Sequence, residues 1–264
     1  MNAVGAMPNK NMEQLWSKVP LVTITFWLIK IMATTVGETA ADLLSARLGL
    51  GLSVTSLIMT LVFLVFLALQ MRAKAYVPFL YWVTVVLISV VGTLISDNLV
   101  DGFGISLTTT TIVFGIILAV VFVAWYRSEH TLSIHSIVTF RRECFYWLAI
   151  LFTFALGTSA GDLVAEGLDL GYLTAANIFG AMILLTTIAY YVFGQNAVTC
   201  FWIAYILTRP FGASIGDFLS KPNIAGGLGL GTVTTSLIFL GLIAALIAYL
   251  TATRVDQEEV PHSA

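Results

Sequence analysis

The sequence predicts an all-α integral membrane protein, and three observations carry this prediction. Hydrophobic residues make up 59% of the 264 positions, only 10% are charged, and the mean hydropathy is +0.97. This composition lies outside the range of soluble domains. The apolar residues also fall into runs of about 20 residues, the length of a helix that crosses a bilayer. The fold class therefore follows before any motif is considered.

We count eight such runs and expect each to be a transmembrane helix. They lie at residues 20–44, 52–71, 77–99, 105–126, 144–166, 172–193, 197–219 and 230–252. The first run is too long for the core of a signal peptide and no small-residue cleavage pattern follows it, so we expect it to be retained. Each successive pair of runs is predicted to form a helical hairpin with a glycine-containing turn.

The hairpins divide the chain into four repeats. The predicted segments are a cytoplasmic N-terminal segment at 1–19, repeat 1 at 20–74, repeat 2 at 75–128, a cytoplasmic connection at 129–143, repeat 3 at 144–194, repeat 4 at 195–253, and a cytoplasmic tail at 254–264. No soluble domain is visible between them.

A spaced triplet occurs once in each repeat, with a glycine ten residues after a tryptophan and an aspartate five residues after the glycine. The copies are Trp27, Gly37 and Asp42; Trp82, Gly92 and Asp97; Trp147, Gly157 and Asp162; and Trp202, Gly212 and Asp217. The aspartates are spaced by 55, 65 and 55 residues, which indicates a nested duplication. We therefore expect a pseudosymmetric bundle with a 2+2 arrangement of repeats.

The distribution of positive charge predicts the orientation. The hairpin turns hold only Arg47 and Lys221, whereas the other basic residues outside the spans lie in the termini and in the connections between repeats. This bias favours both termini in the cytoplasm. Because each repeat has two spans, all four repeats would enter from the same side and be parallel. The four aspartates would then share one depth, toward the outer face.

These intramembrane carboxylates are the candidate functional groups. A carboxylate in a lipid-spanning helix costs roughly 2.5 to 3.5 kcal/mol on insertion scales, so four at equivalent positions require an explanation. We predict that Asp42, Asp97, Asp162 and Asp217 bind a cation or carry protons, with Glu38 as an additional ligand, and that the four aspartates form the metal site.

Two more acids follow an aspartate by four residues and would stack on the same helix face. They are Asp101 and Glu166, which we treat as auxiliary acids; the alternative is that both are solvated turn residues. Two bases, Lys30 and Arg209, are embedded in the spans without equivalents in the other repeats. They either neutralise neighbouring carboxylates or, for Lys30, couple proton release to substrate binding. Acids outnumber bases in this set, so the pathway should prefer cations.

The tryptophans and glycines of the triplet have packing and site interpretations. The tryptophans either anchor helix contacts or form a wall of the site. The glycines either permit close helix approach or mark a local break that frees backbone carbonyls for an ion. Both interpretations stay open at the level of sequence.

The ligand types narrow the substrate. His130, His135 and His262 all fall in predicted cytoplasmic segments, and the spans offer no cluster of Cys and His for zinc or a soft metal. Protons, alkali ions, Mg²⁺, Mn²⁺ and Ca²⁺ are the expected candidates. A small organic cation is the alternative, since tryptophan rings could supply cation–π contacts. We see no nucleophile with a base, and so expect no enzyme activity and no cofactor beyond a bound transported cation.

The repeat stretches themselves resemble a known family. They are ValGlyGluThrAlaAlaAsp at 36–42, GlyThrLeuIleSerAsp at 92–97, GlyThrSerAlaGlyAsp at 157–162 and GlyAlaSerIleGlyAsp at 212–217. With four tandem two-helix repeats over about residues 20 to 252, the chain resembles a bacterial family built from four copies of a repeat of unknown function and described as an uncharacterised membrane-anchored protein. The resemblance implies a bacterial inner-membrane location and supplies no substrate.

We therefore expect a multi-pass transporter for a hard cation, either a proton-coupled divalent metal such as Mn²⁺ or Mg²⁺ or a monovalent ion, acting as an exporter or antiporter. The alternatives are a passive cation channel and a membrane scaffold or sensor that transports nothing. The expected partners are membrane lipid, an inorganic cation and protons, and no nucleic acid. The sequence leaves the oligomeric state open.

Overall fold

The computed structural model describes residues 17–257, and this part of the chain consists of helices joined by turns and short loops, with no strand. Eight α-helices follow one another, which confirms the predicted all-α fold. They are α1 (Ile24–Asp42), α2 (Leu52–Arg72), α3 (Pro78–Asp97), α4 (Leu107–Glu129), α5 (Phe140–Asp162), α6 (Tyr172–Tyr191), α7 (Ala197–Ser220) and α8 (Thr232–Thr253). The outer parts of the predicted terminal segments, including His262, lie outside the described residues.

Helix α1 begins four residues later than predicted. Residues 21–23 are not helical, and the Thr23 hydroxyl accepts a hydrogen bond from the Phe26 amide at 3.3 Å. A side-chain oxygen at this position satisfies one of the free amides of the first turn, so Thr23 sets the start of the helix.

Seven of the described helices, α2 to α8, are long and apolar enough to cross a membrane. Helix α1 differs from them because its 19 residues include Lys30, Glu38, Asp42 and four threonines. Most of α2, α4, α6 and α8 is exposed and apolar, as expected of helices that face lipid. The described chain therefore has the character of a multi-pass membrane protein.

The four odd-numbered helices form a closed inner ring. Helix α1 packs on α3, α3 on α5, α5 on α7, and α7 on α1. Adjacent members also meet near their N-terminal ends through aromatic contacts, such as Phe26 with Trp82 at 5.5 Å and Tyr81 with Trp147 at 5.7 Å between ring centroids. We call this end of the ring the aromatic end. The opposite end, where the triplet aspartates lie, we call the acidic end.

The triplet glycines lie where the ring helices approach most closely. A Cβ atom on each glycine would overlap a residue that lies three positions before the glycine of the next repeat. The contacts are Gly37 with Ser89, Gly92 with Phe154, Gly157 with Arg209, and Gly212 with Thr34. The last contact returns to the first repeat, so one packing rule holds around the whole ring. Small residues allow this approach because they let the helix backbones come together.

The even-numbered helices form an outer layer, and here the hairpin prediction is wrong. Helix α2 packs mainly on α3, α4 on α5, α6 on α7, and α8 on α1. Each second helix thus covers the first helix of the following repeat rather than its own. Consecutive helices are joined by short turns, but a turn fixes only their ends, and the buried faces of the ring helices select the partner. No repeat is a self-contained hairpin.

A non-helical N-terminal segment, Ser17–Thr23, closes the aromatic end. The Lys18 amide donates to the Ile137 carbonyl at 3.1 Å, and the Leu21 amide donates to the Asp256 carbonyl at 2.9 Å. The Lys18 ammonium lies 2.8 Å from a Glu143 carboxylate oxygen, and that carboxylate is buried. The segment therefore joins three separate parts of the chain across one end of the ring.

Candidate functional site

The triplet aspartates mark the point where the ring helices change geometry. In the first three repeats the α-helix ends at the aspartate and a single π-helical turn follows, at Leu43–Arg47, Asn98–Gly102 and Leu163–Gly167. In the fourth repeat α7 continues past Asp217 to Ser220. Such wide turns are rare and frequently occur at functional sites. The carboxylates therefore lie at the rim of the ring rather than at its middle.

Three carboxylates meet at the acidic end. Glu38 of α1, Asp162 of α5 and Asp217 of α7 each place one carboxylate oxygen within 4.8 Å of the other two. Glu38 and Asp217 are buried and Asp162 is half-buried. We call Glu38, Asp162 and Asp217 the acid cluster. Oxygen ligands at this spacing suit a hard cation such as Mg²⁺, Mn²⁺ or Ca²⁺.

One buried oxygen of the acid cluster has no hydrogen-bond donor among the described residues. Asp217 Oδ1 is buried and unpartnered within the described residues, although the Lys221 ammonium lies 3.7 Å away. A buried carboxylate oxygen without a donor is costly, and such an atom calls for a ligand or a functional reason. This observation is independent of the proximity of the three acids.

The other two predicted metal ligands lie outside the acid cluster. Asp42 is half-buried and pairs with Lys221, whose nitrogen lies 3.3 Å from Asp42 Oδ2. Asp97 is half-buried and within electrostatic range of Glu38 and Asp42. Of the four predicted aspartates, the structure thus groups only Asp162 and Asp217. The third member of the acid cluster is Glu38, which lies on α1 four residues before Asp42.

Lys221 supplies the positive charge at the rim. Its burial opposes protonation, but the carboxylates of Asp217 and Asp42 more than offset this, and the pKa of Lys221 is raised above its usual value. The ammonium therefore stays charged across the physiological pH range. Lys221 follows the end of α7 directly, and α7, unlike the other ring helices, has no π-helical turn after its aspartate.

The auxiliary acids do not stack beside the triplet aspartates inside the ring. Asp101 and Glu166 are both exposed, and Glu166 accepts a hydrogen bond from the Tyr172 hydroxyl at 2.7 Å. Both lie in the π-helical turns that lead to the outer helices. Their positions agree with the alternative of turn residues at the rim.

Arg209 lies at the centre of the ring. Its Nη2 atom donates to Glu38 Oε2 at 3.0 Å, to Thr158 Oγ1 at 2.7 Å, and to Thr93 Oγ1. These acceptors belong to α1, α5 and α3, so one nitrogen of α7 reaches all three other ring helices. Neither threonine was identified from the sequence as a site residue. An alignment of the four repeats indicates both threonines as candidates, because Thr93 and Thr158 follow their glycines directly, as Glu38 follows Gly37.

Lys30 lies deeper and touches no carboxylate. Its side chain is fully buried, and its nitrogen lies 4.0 Å from the ring centroid of Phe154 and 4.2 Å from that of Tyr205. Within the described residues it has neither an ion pair nor a hydrogen bond. Neutralisation of a nearby carboxylate therefore describes Arg209 but not Lys30, which is held against aromatic faces instead.

The triplet tryptophans lie at the aromatic end, away from the acid cluster. Trp82 donates to the Tyr76 hydroxyl at 3.1 Å, and Trp202 donates to the Leu132 carbonyl at 2.9 Å. Trp147 faces Glu143, and Trp27 packs on Phe201 with ring centroids 5.6 Å apart. Their contacts are those of packing residues, and Trp82, Trp147 and Trp202 also donate their indole N–H groups.

Comparison with known proteins agrees with this repeat architecture. A family model described as Repeat of Unknown Function (DUF347) matches the chain four times, at residues 25–76, 80–131, 145–196 and 200–256. No curated protein and no solved structure matches the chain. Each matched segment contains one Trp-Gly-Asp triplet and one ring helix, and together the segments cover most of the sequence. The chain therefore belongs to the DUF347 family and carries four tandem copies of its repeat.

Proposed function

We propose that the protein transports a hard cation across a bacterial inner membrane in exchange for protons. The observation that carries this proposal is the acid cluster, three carboxylates from three ring helices with an unpartnered buried oxygen on Asp217. A membrane protein retains buried acids at a high insertion cost mainly where they serve an ion or proton pathway.

The proposed topology has eight spans, with α1 crossing the membrane despite its polar residues. Helix α1 is a full member of the ring and packs on α3, α7 and α8, so its polar groups face protein rather than lipid. The cyclic glycine contacts support four parallel repeats, since each ring helix meets the next at an equivalent position. Both termini would be cytoplasmic, in keeping with the bias of positive charges.

The chemistry of the acid cluster favours a divalent cation over a monovalent one. The acidic end holds five carboxylates, Glu38, Asp42, Asp97, Asp162 and Asp217, and among the described residues only Arg209 and Lys221 form ion pairs with them. The remaining negative charge is more than a single monovalent ion can balance. Closely spaced carboxylates share protons when no cation is bound. Protons and the cation would then compete for the same oxygens, which is the physical basis of exchange.

Ion flux into proteoliposomes tests this function. Purified protein would be reconstituted with an internal pH dye and exposed to Mn²⁺, Mg²⁺, Ca²⁺, Na⁺ and K⁺ in turn. We expect selective uptake of one divalent cation with opposing proton movement, and loss of both in Asp217→Asn. The matched control is Asp169→Asn, because Asp169 is an exposed loop residue with a positive φ of 53° that asparagine also adopts.

Three other outcomes would contradict the proposal. Current that follows voltage without proton exchange would identify a passive channel. Equal flux in Asp217→Asn and in the unmodified protein would remove the acid cluster from the pathway. Absence of flux for every ion, with a constant partner co-purifying, would identify a scaffold.

A further inference from the structure

The fourfold pattern of the ring is interrupted at its centre by one arginine. Arg209 occupies the position that is Thr34, Ser89 and Phe154 in the other repeats, three residues before the glycine. Its side chain is fully buried. A charge that cannot be removed by deprotonation therefore stands on the axis of the ring, next to the acid cluster.

The chain is built to hold this side chain on the axis. The aliphatic stem of Arg209 lies against Gly157 of α5, where a Cβ atom would overlap it, and Pro210 follows directly and also contacts Gly157. The guanidinium is bound by Glu38, Thr93 and Thr158. The ring helices thus provide both the space for the stem and the acceptors for the head group.

The hydrogen-bond donors of Arg209 are nevertheless not all satisfied. Arg209 Nε and Nη1 are buried and have no acceptor within the described residues. An arginine that served packing alone would have these donors paired, because a buried unpaired donor costs free energy. On the side of the aromatic end lies a second buried base, Lys30, and both bases lie over the ring of Phe154.

We propose that Arg209 is the internal charge barrier of the pathway. Its positive charge prevents cations from leaking through the ring, and its ion pair with Glu38 breaks only when a substrate cation enters the acid cluster. This inference rests on the proposed cation transport. A fixed positive charge in a narrow pore repels cations, as arginines and dipole ends do in other selective pores. Glu38 is the shared group, because it belongs to the acid cluster and also accepts from Arg209. A cation that binds there displaces the guanidinium from Glu38, its one anionic partner among the described residues.

The test compares leak with coupled transport in Arg209→Gln. Proteoliposomes would be loaded with K⁺ and a pH dye, and the K⁺ and proton leak measured under an imposed potential without any divalent cation. We expect Arg209→Gln to raise the leak roughly tenfold or more, the scale on which local charge changes ion entry. Arg209→Lys, which keeps a positive charge, should stay near the unmodified protein. The matched control is Ser89→Ala, at the same repeat position, where the buried hydroxyl has no hydrogen bond to lose.

Removal of Arg209 leaves Glu38 buried without its partner, so the single variant could fail to fold. The double variant Glu38→Gln with Arg209→Gln removes both charges of the pair together, and its leak should also be raised. Folding of each variant is checked by monodisperse elution in detergent before reconstitution.

The outcomes separate this inference from the proposed function. Coupled divalent transport in the unmodified protein, with no added leak in either Arg209→Gln variant, would overturn the barrier and keep the transporter. A raised leak in Arg209→Gln with no divalent transport in the unmodified protein would keep the barrier and overturn the exchange. No transport in the unmodified protein and no leak in the variants would overturn both.

Discussion

Gly212 of α7 lies so close to Thr34 of α1 that a Cβ atom on the glycine would overlap the threonine side chain and lie 2.9 Å from the Ile31 carbonyl oxygen. This contact joins the last ring helix to the first. The Thr35 hydroxyl donates to the Gly212 carbonyl at 3.0 Å, and the Thr34 hydroxyl, which donates to the Ile31 carbonyl at 2.6 Å, also lies 3.2 Å from the Thr208 carbonyl oxygen. The ring is therefore closed by backbone proximity and by hydrogen bonds that such proximity permits.

The first prediction concerns this closure. Gly212→Ala should lower the free energy of unfolding by about 1–3 kcal/mol, because the added methyl group overpacks a contact that includes backbone. Denaturant unfolding in detergent micelles measures the change. The control is Gly115→Ala in α4, where the nearest side-chain atom lies 4.0 Å from the added carbon. Equal stability of the two variants would show that the ring tolerates wider spacing.

The second prediction concerns equilibrium binding at the acid cluster. Mn²⁺ at about 100 times its Kd should stabilise the protein by about 2.7 kcal/mol, since it binds only the folded state. Asp217→Asn should lose this stabilisation and Asp169→Asn should keep it. Because protons compete for the same carboxylates, the effect should shrink as the pH falls. A Tm shift that survives in Asp217→Asn would place the ion elsewhere.

The third prediction concerns the segment that closes the aromatic end. Lys18→Met should destabilise the fold by about 3–5 kcal/mol, because it leaves the buried Glu143 carboxylate without its cation. The comparison is Arg141→Met, which removes an exposed partner of Glu129 and should cost at most about 1 kcal/mol. Thermal unfolding of both variants gives the two values. Adding Glu143→Gln to Lys18→Met should restore part of the loss, and a failure to do so would mean that Lys18 acts through its backbone contacts alone.

The fourth prediction concerns the pH dependence of stability that arises from Asp256, which follows α8 and contacts the segment before α3. Asp256 accepts a hydrogen bond from the Tyr76 hydroxyl at 2.5 Å. Burial raises the pKa of Asp256 above its usual value of 3.8, although the Tyr76 hydrogen bond opposes this. Burial and the adjacent Asp256 carboxylate both raise the pKa of Tyr76, so its hydroxyl stays protonated and able to donate.

The sign of this pH effect follows from the raised pKa. A carboxyl that binds its proton more tightly in the folded protein adds stability below the pKa of the unfolded chain, and this part is lost as the pH rises through the folded pKa. The stability of the unmodified protein relative to Asp256→Asn should therefore decline as the pH rises from the pKa of an unfolded aspartate through the raised pKa of the folded Asp256 carboxyl. Chemical denaturation across this range measures it. A difference that is constant or increases with pH would contradict the prediction.

Several features of the fold were accessible from the sequence because they depend on local composition. The length of the apolar runs set the eight helices, and the Trp-Gly-Asp spacing set the four repeats, which the family matches confirm. Membrane character followed from hydropathy alone. These properties are decided by each segment separately, so neighbours in space do not alter them.

The partners of each helix and each charge were decided only by the tertiary structure. The cyclic packing of α8 on α1 depends on faces more than 190 residues apart, and nothing in the local sequence distinguishes it from a set of hairpins. For the same reason Glu38, and not Asp42 or Asp97, joins Asp162 and Asp217, while Arg209 reaches three helices and Lys30 reaches none of the acids. The sequence by itself determined which polar residues interrupt the apolar runs. Only the rotation of each helix about its axis within the closed ring decided which of them meet.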